Sequence, residues 1–381
     1  MDNQNVKRAE IEDTDEDYER ESNEAFDPRN IDISVEQQNI DFLIGKLEDG
    51  EIDLNTEFQR STDLWDACKM SRLIESLMVR FPIPGFYFDI TDKNNWQVVD
   101  GLQRLSALKK FVIDNELKLQ KLDFLKEIEG KNFKDLSDDD VYKHLIRTMK
   151  RTQIVLYFIR PGTPKPVKYR LYERINTGGL KLNPQEIRHA LNQGLAANYV
   201  EELSQLSAFK EVVSISSNRM LDRELVLRYV AFREIPFYNY KLPFTKFLDN
   251  AMGNIANCSN TRREQLKQEF AKALETAYQI FDDKAFRKKP GAKYNGALFE
   301  TWTVNLSQLT DEKRVLLVLN KAQVINFFNL LLTNNEEFEN SIYKNFSTIK
   351  GVKTRFIEIE QLIKDLSLYI DNSDPLTFII G

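Results

Sequence analysis

The chain has 381 residues, with 53 Lys and Arg against 59 Asp and Glu, two histidines and two cysteines. Its 42% hydrophobic and 11% aromatic residues can bury a good core, which excludes wholesale disorder, and the length points to about two domains. Cys68 and Cys258 form no Cys-x-x-Cys pair, and His144 and His189 lie 45 positions apart, which argues against a disulfide framework, a cysteine-rich zinc site and His-Asn-His nuclease chemistry.

Eleven acids against four bases give residues 1–30 a net charge of −7, so the other 351 residues sum to +1. This acidic tail has no hydrophobic periodicity and is expected to be disordered. It shows no basic-then-apolar leader pattern, and no apolar run in the chain approaches the roughly 18 residues that cross a bilayer. A soluble, cytoplasmic protein with no membrane partner is expected.

Order is predicted to begin near Ile31. Ser34 and Gln37 make a capping-box pattern that predicts a helix with Val35, Ile40, Leu43, Ile44 and Leu47 inward, stopped at Asp49-Gly50. A short strand follows at Glu51–Leu54, then a polar loop at Asn55–Arg60. Leu64, Trp65, Cys68, Leu73, Ile74, Leu77 and Met78 predict a helix up to Arg80, broken by Pro82 and Pro84. Gly85–Ile90 and Trp96–Val99 read as a hairpin, and Asp100-Gly101 as a sharp exit into a helix that buries Leu105, Leu108, Phe111 and Val112. Ser137 with Asp138–Asp140 predicts another helix start. Gln153–Ile159 reads as a buried strand, Pro161, Pro164 and Pro166 as a stiff linker, Asn176–Gly179 as a loop, and Pro184 as the first residue of a helix. From about residue 195 the pattern is helical: Asp222–Phe232, Thr261–Phe281, Lys321–Leu332 and Lys353–Leu366. The expected class is α+β: a tail at 1–30, a mixed sheet with helices at 31–194, and an all-helical domain at 195–381.

Three constellations could carry chemistry. In Asp100-Gly101-Leu102-Gln103-Arg104 a strand turns into a helix. Glycine there permits a tight turn and the helix start offers unpaired N–H groups to a phosphate. Arg104 could face the same anion, and Asp100 could hold hydrated Mg²⁺. An ordinary turn with Arg104 paired to an acid is the plain alternative. Gln59, Arg60 and Trp65 could rim a pocket, Trp65 stacking on a base or simply anchoring its helix. Asn176, Gly178 and Gly179 form an anion-binding nest or an ordinary helix end, followed by Glu186 and Arg188 in the first turns of the next helix. His144 and His189 read as surface or capping residues. The basic stretch with Arg287, Lys288, Lys289 and Lys293 is the better candidate for touching DNA.

Taken in order, Phe58-Gln59-Arg60…Trp65, Ser71–Leu77…Pro82-Ile83-Pro84, Asp100–Leu108 (DGLQRLSAL) and Asn176–Gly179…Glu186-Ile187-Arg188 resemble the DGQQR-motif family. That family is the N-terminal domain of GmrSD-type restriction proteins, also catalogued as domain of unknown function 262. Residues 219–224 resemble its downstream region, so the likeness spans roughly residues 35–235. It implies a small ParB/sulfiredoxin-like sheet whose Gly101-x-x-Arg104 turn binds nucleotide phosphates. It also implies a nucleoside triphosphate with Mg²⁺ as cofactors and defence against modified phage DNA as the setting. Arg104, Arg60 and the glycine loop would hold phosphates, with Gln59, Trp65, Asn176 and Arg188 around them. Asp100 with Gln103 would orient water for hydrolysis, and Glu186 would be a second metal carboxylate. Leu102 stands where the family has its first glutamine, which puts hydrolysis in question. The histidine count leaves no His-Asn-His centre, so DNA cleavage of that type would come from a separate nuclease subunit; a methyltransferase subunit is a further candidate partner. The alternatives are a non-enzymatic DNA- or protein-binding module and a metal-dependent nicking nuclease using Asp100 and Glu186.

Overall fold

The computed structural model describes Arg29 and residues 31–54, 65–92, 94–175, 182–215, 219–241, 243–289 and 291–373. The acidic tail up to residue 28 and the loops that hold Gln59, Arg60, Asn176, Gly178 and Gly179 lie outside the described residues. The chain divides into two compact units between Leu191 and Asn192, each with its own hydrophobic core.

The first unit is built on a five-stranded mixed sheet. In chain order it comprises β1 (Ile33–Asn39), α1 (Ile40–Glu48), β2 (Ile52–Asp53), α2 (Ala67–Met78), β3 (Phe86–Asp89), β4 (Trp96–Asp100), α3 (Leu102–Leu108), α4 (Phe133–Ser137), α5 (Lys143–Arg151), β5 (Gln153–Ile159), α6 (Lys165–Ile175) and α7 (Pro184–Leu191). A π-helical turn, Lys109–Ile113, continues α3. The strand order is β1-β5-β3-β4-β2, with β1·β5 and β3·β4 antiparallel and β5·β3 and β4·β2 parallel. Phe86 and Phe88 of β3, Val98 of β4 and Ile154, Leu156 and Phe158 of β5 face one core, which α1, α2, α3 and α5 cover. The expected α+β class is what the chain adopts.

Four local expectations need correction. Ser34 and Gln37 do not open a helix: Ile33–Asn39 is an edge strand paired residue for residue with Gln153–Ile159, and Val35 is exposed. A seven-residue ladder outweighs one capping box, and the cap of α1 is Asn39, whose Oδ1 accepts from Phe42 N at 2.9 Å. Ser137 ends α4 rather than starting a helix; the start belongs to the reciprocal cap of Asn132 and Asp135. Pro164 and Pro166 are not in a linker but head α6, where a missing N–H leaves no intrahelical bond unmade. β5 is central in the sheet yet buried mainly on alternate residues; Gln153 and Val155 are exposed.

Buried charges tie distant segments of this unit together. Glu75 of α2, 2% exposed, accepts from the backbone N–H groups of Asp123, Phe124 and Leu125 at 3.0, 2.7 and 2.8 Å. Burial works to raise its carboxyl, but the three N–H donors and Arg72 outweigh that and hold it below the ordinary value of 4.5. On the opposite face of the sheet, Lys168 of α6 meets Asp89 at 2.7 Å and donates to Thr91 Oγ1, while Tyr172 Oη lies 3.3 Å from the same Asp89 oxygen. Burial and the Asp89 charge push the Tyr172 phenol well above its usual range.

The regular elements of the second unit are helices: α8 (Leu195–Ser204), α9 (Ser207–Val212), α10 (Leu221–Glu234), α11 (Phe244–Asn257), α12 (Asn260–Phe281), α13 (Gly296–Ser307), α14 (Asp311–Leu319), α15 (Lys321–Asn334), α16 (Glu336–Tyr343) and α17 (Ile349–Ser373). Its aromatic-rich core encloses two arginines and two glutamates. Arg228 bonds Glu224 at 2.8 Å and lies 3.7 Å from Glu300, and Arg355 bonds both Glu300 and the carbonyl of Phe346. No single helix among the described residues is long and apolar enough to cross a membrane.

Glu75→Gln keeps the shape and removes the charge. Equilibrium urea unfolding at neutral pH should show a loss of about 2–3 kcal/mol. A carboxyl depressed in the folded state contributes stability that is present above its ordinary value and lost as pH falls through the folded value. The gap between wild type and variant should therefore close in acid; a gap that persists there would contradict the ionic role.

Candidate functional site

At the end of β4 the chain turns through Gly101, whose φ of 105° is a conformation that side-chain-bearing residues rarely adopt. A Cβ at this position would also lie 2.5 Å from Phe86 Cδ1. Glycine is therefore required twice over, by the backbone angle and by the packing of β3. The helix that follows directs Leu102 into the core and leaves Gln103 and Arg104 to the polar side.

Arg104 is 8% exposed and fully engaged in the fold. Its Nη1 donates to the carbonyl of Pro84, its Nη2 to the carbonyl of Gly85 at 3.1 Å and to Asp100 Oδ2 at 2.8 Å. The guanidinium plane lies over Phe86, 4.4 Å from the ring centroid. Burial pulls the guanidinium below its usual range although Asp100 opposes this. Burial likewise raises the Asp100 carboxyl although Arg104 and the Gly101 N–H oppose it. Desolvation opposes the charged form of both partners, and their mutual attraction favours it.

The neighbours are specific. Tyr87 and Tyr157 stack with centroids 4.3 Å apart, and a Cβ on Gly85 would strike the Tyr157 ring at 2.7 Å. Gln103 Oε1 accepts from Trp65 N at 3.2 Å, tying the turn to the segment that enters α2. Trp65 itself is partly buried against the core, as the anchoring reading expects.

Of the expected residues, Asp100, Gly101, Gln103, Arg104 and Trp65 come together here. Gln59, Arg60, Asn176, Gly178 and Gly179 lie outside the described residues. Glu186 and Arg188 are buried on α7. Asn183 Oδ1 accepts from Glu186 N at 2.8 Å and Glu186 Oε2 accepts from Asn183 N at 2.7 Å, so Glu186 forms a reciprocal helix cap. Arg188 Nη1 lies 3.5 Å from Gln185 Oε1. His189 is buried as well, against the surface or capping role expected of it, because α7 turns nearly all its side chains inward. His144 is at the surface. Among the described residues no group of three His, Cys, Asp or Glu side chains is placed to hold a metal. A lone Asp100 suits Mg²⁺ only as an ion that arrives with phosphate oxygens and keeps several waters.

The basic stretch is partly turned onto its own unit. Arg287 lies 3.7 Å over the Tyr294 ring and donates to the Ala292 carbonyl, Lys288 lies 4.2 Å from the Tyr343 centroid, and Lys289 and Lys293 are exposed.

Sequence reasoning missed the carbonyls of Pro84 and Gly85 as partners of Arg104. The signal was the Pro-Ile-Pro-Gly run itself, whose constrained backbone presents carbonyls outward. It also missed Asp89, Lys168 and Tyr172, whose 79-residue separation gives no local pattern.

Gly101→Ala should lower the midpoint of thermal unfolding, with a backbone cost of about 1–3 kcal/mol before any steric contribution from Phe86. An unchanged midpoint would contradict the geometry of the turn.

Residues 41–192 match the family model described as "GmrSD restriction endonuclease, N-terminal domain". No curated protein matches the chain.

Proposed function

We propose, from the match of residues 41–192 to the GmrSD N-terminal domain family, that the chain is a component of a restriction-like, DNA-targeting system and that its Asp100–Arg104 turn binds a nucleoside triphosphate. The observation that carries the phosphate reading is the geometry of the turn: Gly101, with φ 105°, heads α3, and Arg104 one turn on bonds Asp100 Oδ2 at 2.8 Å while that carboxylate stays partly exposed. The Asp100 carboxylate that holds Arg104 is partly exposed, and so an anion can reach it. A phosphate oxygen can take the place of Asp100 on the guanidinium, which the Pro84 and Gly85 carbonyls keep aimed without moving.

Asp100 would hold Mg²⁺ that arrives with the phosphates, and the ion would supply charge neutralisation there. The chain's own contribution is positional. Gly101 lets the backbone approach closely, Arg104 offers a planar donor fork, and Gln103 fixes the turn against Trp65. Phosphoryl chemistry depends mainly on such positioning and charge neutralisation, so NTP hydrolysis fits the same residues. Leu102 bears on this. Its side chain is in the core, 4% exposed, so the departure from the family's first glutamine does not remove a group from the polar side of the turn.

The two histidines of these 381 residues lie 45 positions apart. Cleavage of DNA by His-Asn-His chemistry would come from outside these residues, which would act as the sensor or regulatory part.

Titration of ATP, GTP and CTP in the presence of Mg²⁺ tests the reading. Arg104→Ala should weaken binding of the preferred nucleotide about tenfold to hundredfold, and Arg104→Lys should fail to restore it because a point charge cannot replace the fork. Equal affinity in wild type and Arg104→Ala, with both folded by circular dichroism, would overturn the assignment.

A further inference from the structure

The helical unit contains a groove of about 1340 Å³ formed by α10, α12, α13, α14, α17 and the short turn Phe237–Asn239. That exceeds the roughly 300–1,000 Å³ of an ordinary small-molecule site. Its lining is chemically mixed in a particular way. Phe232, Val304 and Phe356 give it a buried apolar floor. Phe237 stacks on Phe356, centroids 5.0 Å apart and planes 10° apart, and Tyr238 meets Phe237 edge-on at 5.6 Å while staying 59% exposed. A tyrosine held by an aromatic neighbour yet open to solvent is a ready stacking surface.

The polar lining supplies two further kinds of group. Gln268 and Gln308 have no side-chain partner among the described residues, leaving amide donors and acceptors open. Five cations line the groove against two carboxylates, and the carboxylates are already neutralised. Glu269 lies 3.0 Å from Arg233 and 3.8 Å from Arg262, and Glu360 bonds Lys364 at 2.8 Å. Lys272 and Arg314 share Asp311, while Lys313 has no partner among the described residues. The groove therefore carries a net positive potential beside an aromatic platform.

We propose that this groove binds a nucleoside phosphate, with its planar base on Tyr238, the base edge at Gln268 and Gln308, and the phosphate at Lys313. The ligand chemistry is shared by a free nucleotide and by a nucleotide within a single DNA strand. The volume exceeds the need of one mononucleotide, so both are tested. This site lies wholly within the helical unit and does not depend on the Asp100–Arg104 reading.

The test uses the full chain, and the effects of Tyr238→Ala and Lys313→Gln, both far in sequence from Gly101, separate this groove from the turn. ATP is titrated by calorimetry, and a 5′-labelled ten-nucleotide oligothymidine by fluorescence anisotropy at low salt. At least one probe should bind. Adding Tyr238→Ala should weaken that binding by about fivefold to a hundredfold, and Lys313→Gln should reduce its salt dependence by about one ion. Both residues are exposed, so thermal melts of the variants should match the parent. Binding of ATP alone assigns a free nucleotide, and binding of the oligonucleotide assigns a strand. The proposal fails if neither probe binds, or if Tyr238→Ala and Lys313→Gln bind as the parent does.

Discussion

The sheet unit depends on one guanidinium. Arg104 reaches from the first turn of α3 to two consecutive carbonyls, those of Pro84 and Gly85, and to Asp100 at the end of β4. It thereby fixes the entry of β3, the exit of β4 and the start of a helix with one rigid fork. The glycines on either side follow from it. Gly101 lets Phe86 lie close to the turn and under the guanidinium, and Gly85 makes room for the Tyr157 ring that stacks on Tyr87. Packing and polarity are joined here: the Phe86 ring whose edge excludes a Cβ at 101 also supports the charge of Arg104.

The same design recurs elsewhere in the chain. Charges are buried where they bridge segments far apart in sequence, and each is met by several partners rather than one. Glu75 orders the loop around Phe124 through three N–H groups, Asp89 fastens α6 to β3 through Lys168, and Glu300 joins α10 to α17 through Arg228 and Arg355. A lone buried charge would carry a large desolvation penalty, and multiple hydrogen bonds offset it. The Asp100–Arg104 pair departs from this pattern, because its carboxylate remains partly exposed. On the function proposed above, that exposure makes it the pair suited to exchange.

Much of this was legible in the residues, for identifiable reasons. The hairpin from Gly85 to Val99, the turn at Asp100-Gly101 and the helices after residue 195 carry strong local signals: alternation, a required glycine, and apolar spacing of 3.6. The Ser34–Gln37 stretch misled because a capping pattern is local whereas the ladder with β5 pairs residues 126 apart and less in sequence. Ser137 misled for the mirror reason: its hydroxyl bonds the carbonyl of Phe133 one turn back, so a residue that favours helix starts sits at a helix end. Of the site, the sequence revealed Asp100, Gly101 and Arg104 as a unit, but the inward turn of Leu102, the capping role of Glu186 and the burial of His189 follow from tertiary packing that no short window encodes.

The central claim is that Asp100 and Arg104 trade their mutual bond for a metal and a phosphate. Its most direct test is the Mg²⁺ dependence of nucleotide affinity, measured by calorimetry on the full chain and on Asp100→Asn. The account predicts that affinity rises with Mg²⁺ in the wild type, and that Asp100→Asn loses much of this dependence while retaining metal-free binding through Arg104. The same Mg²⁺ dependence in both proteins would contradict it.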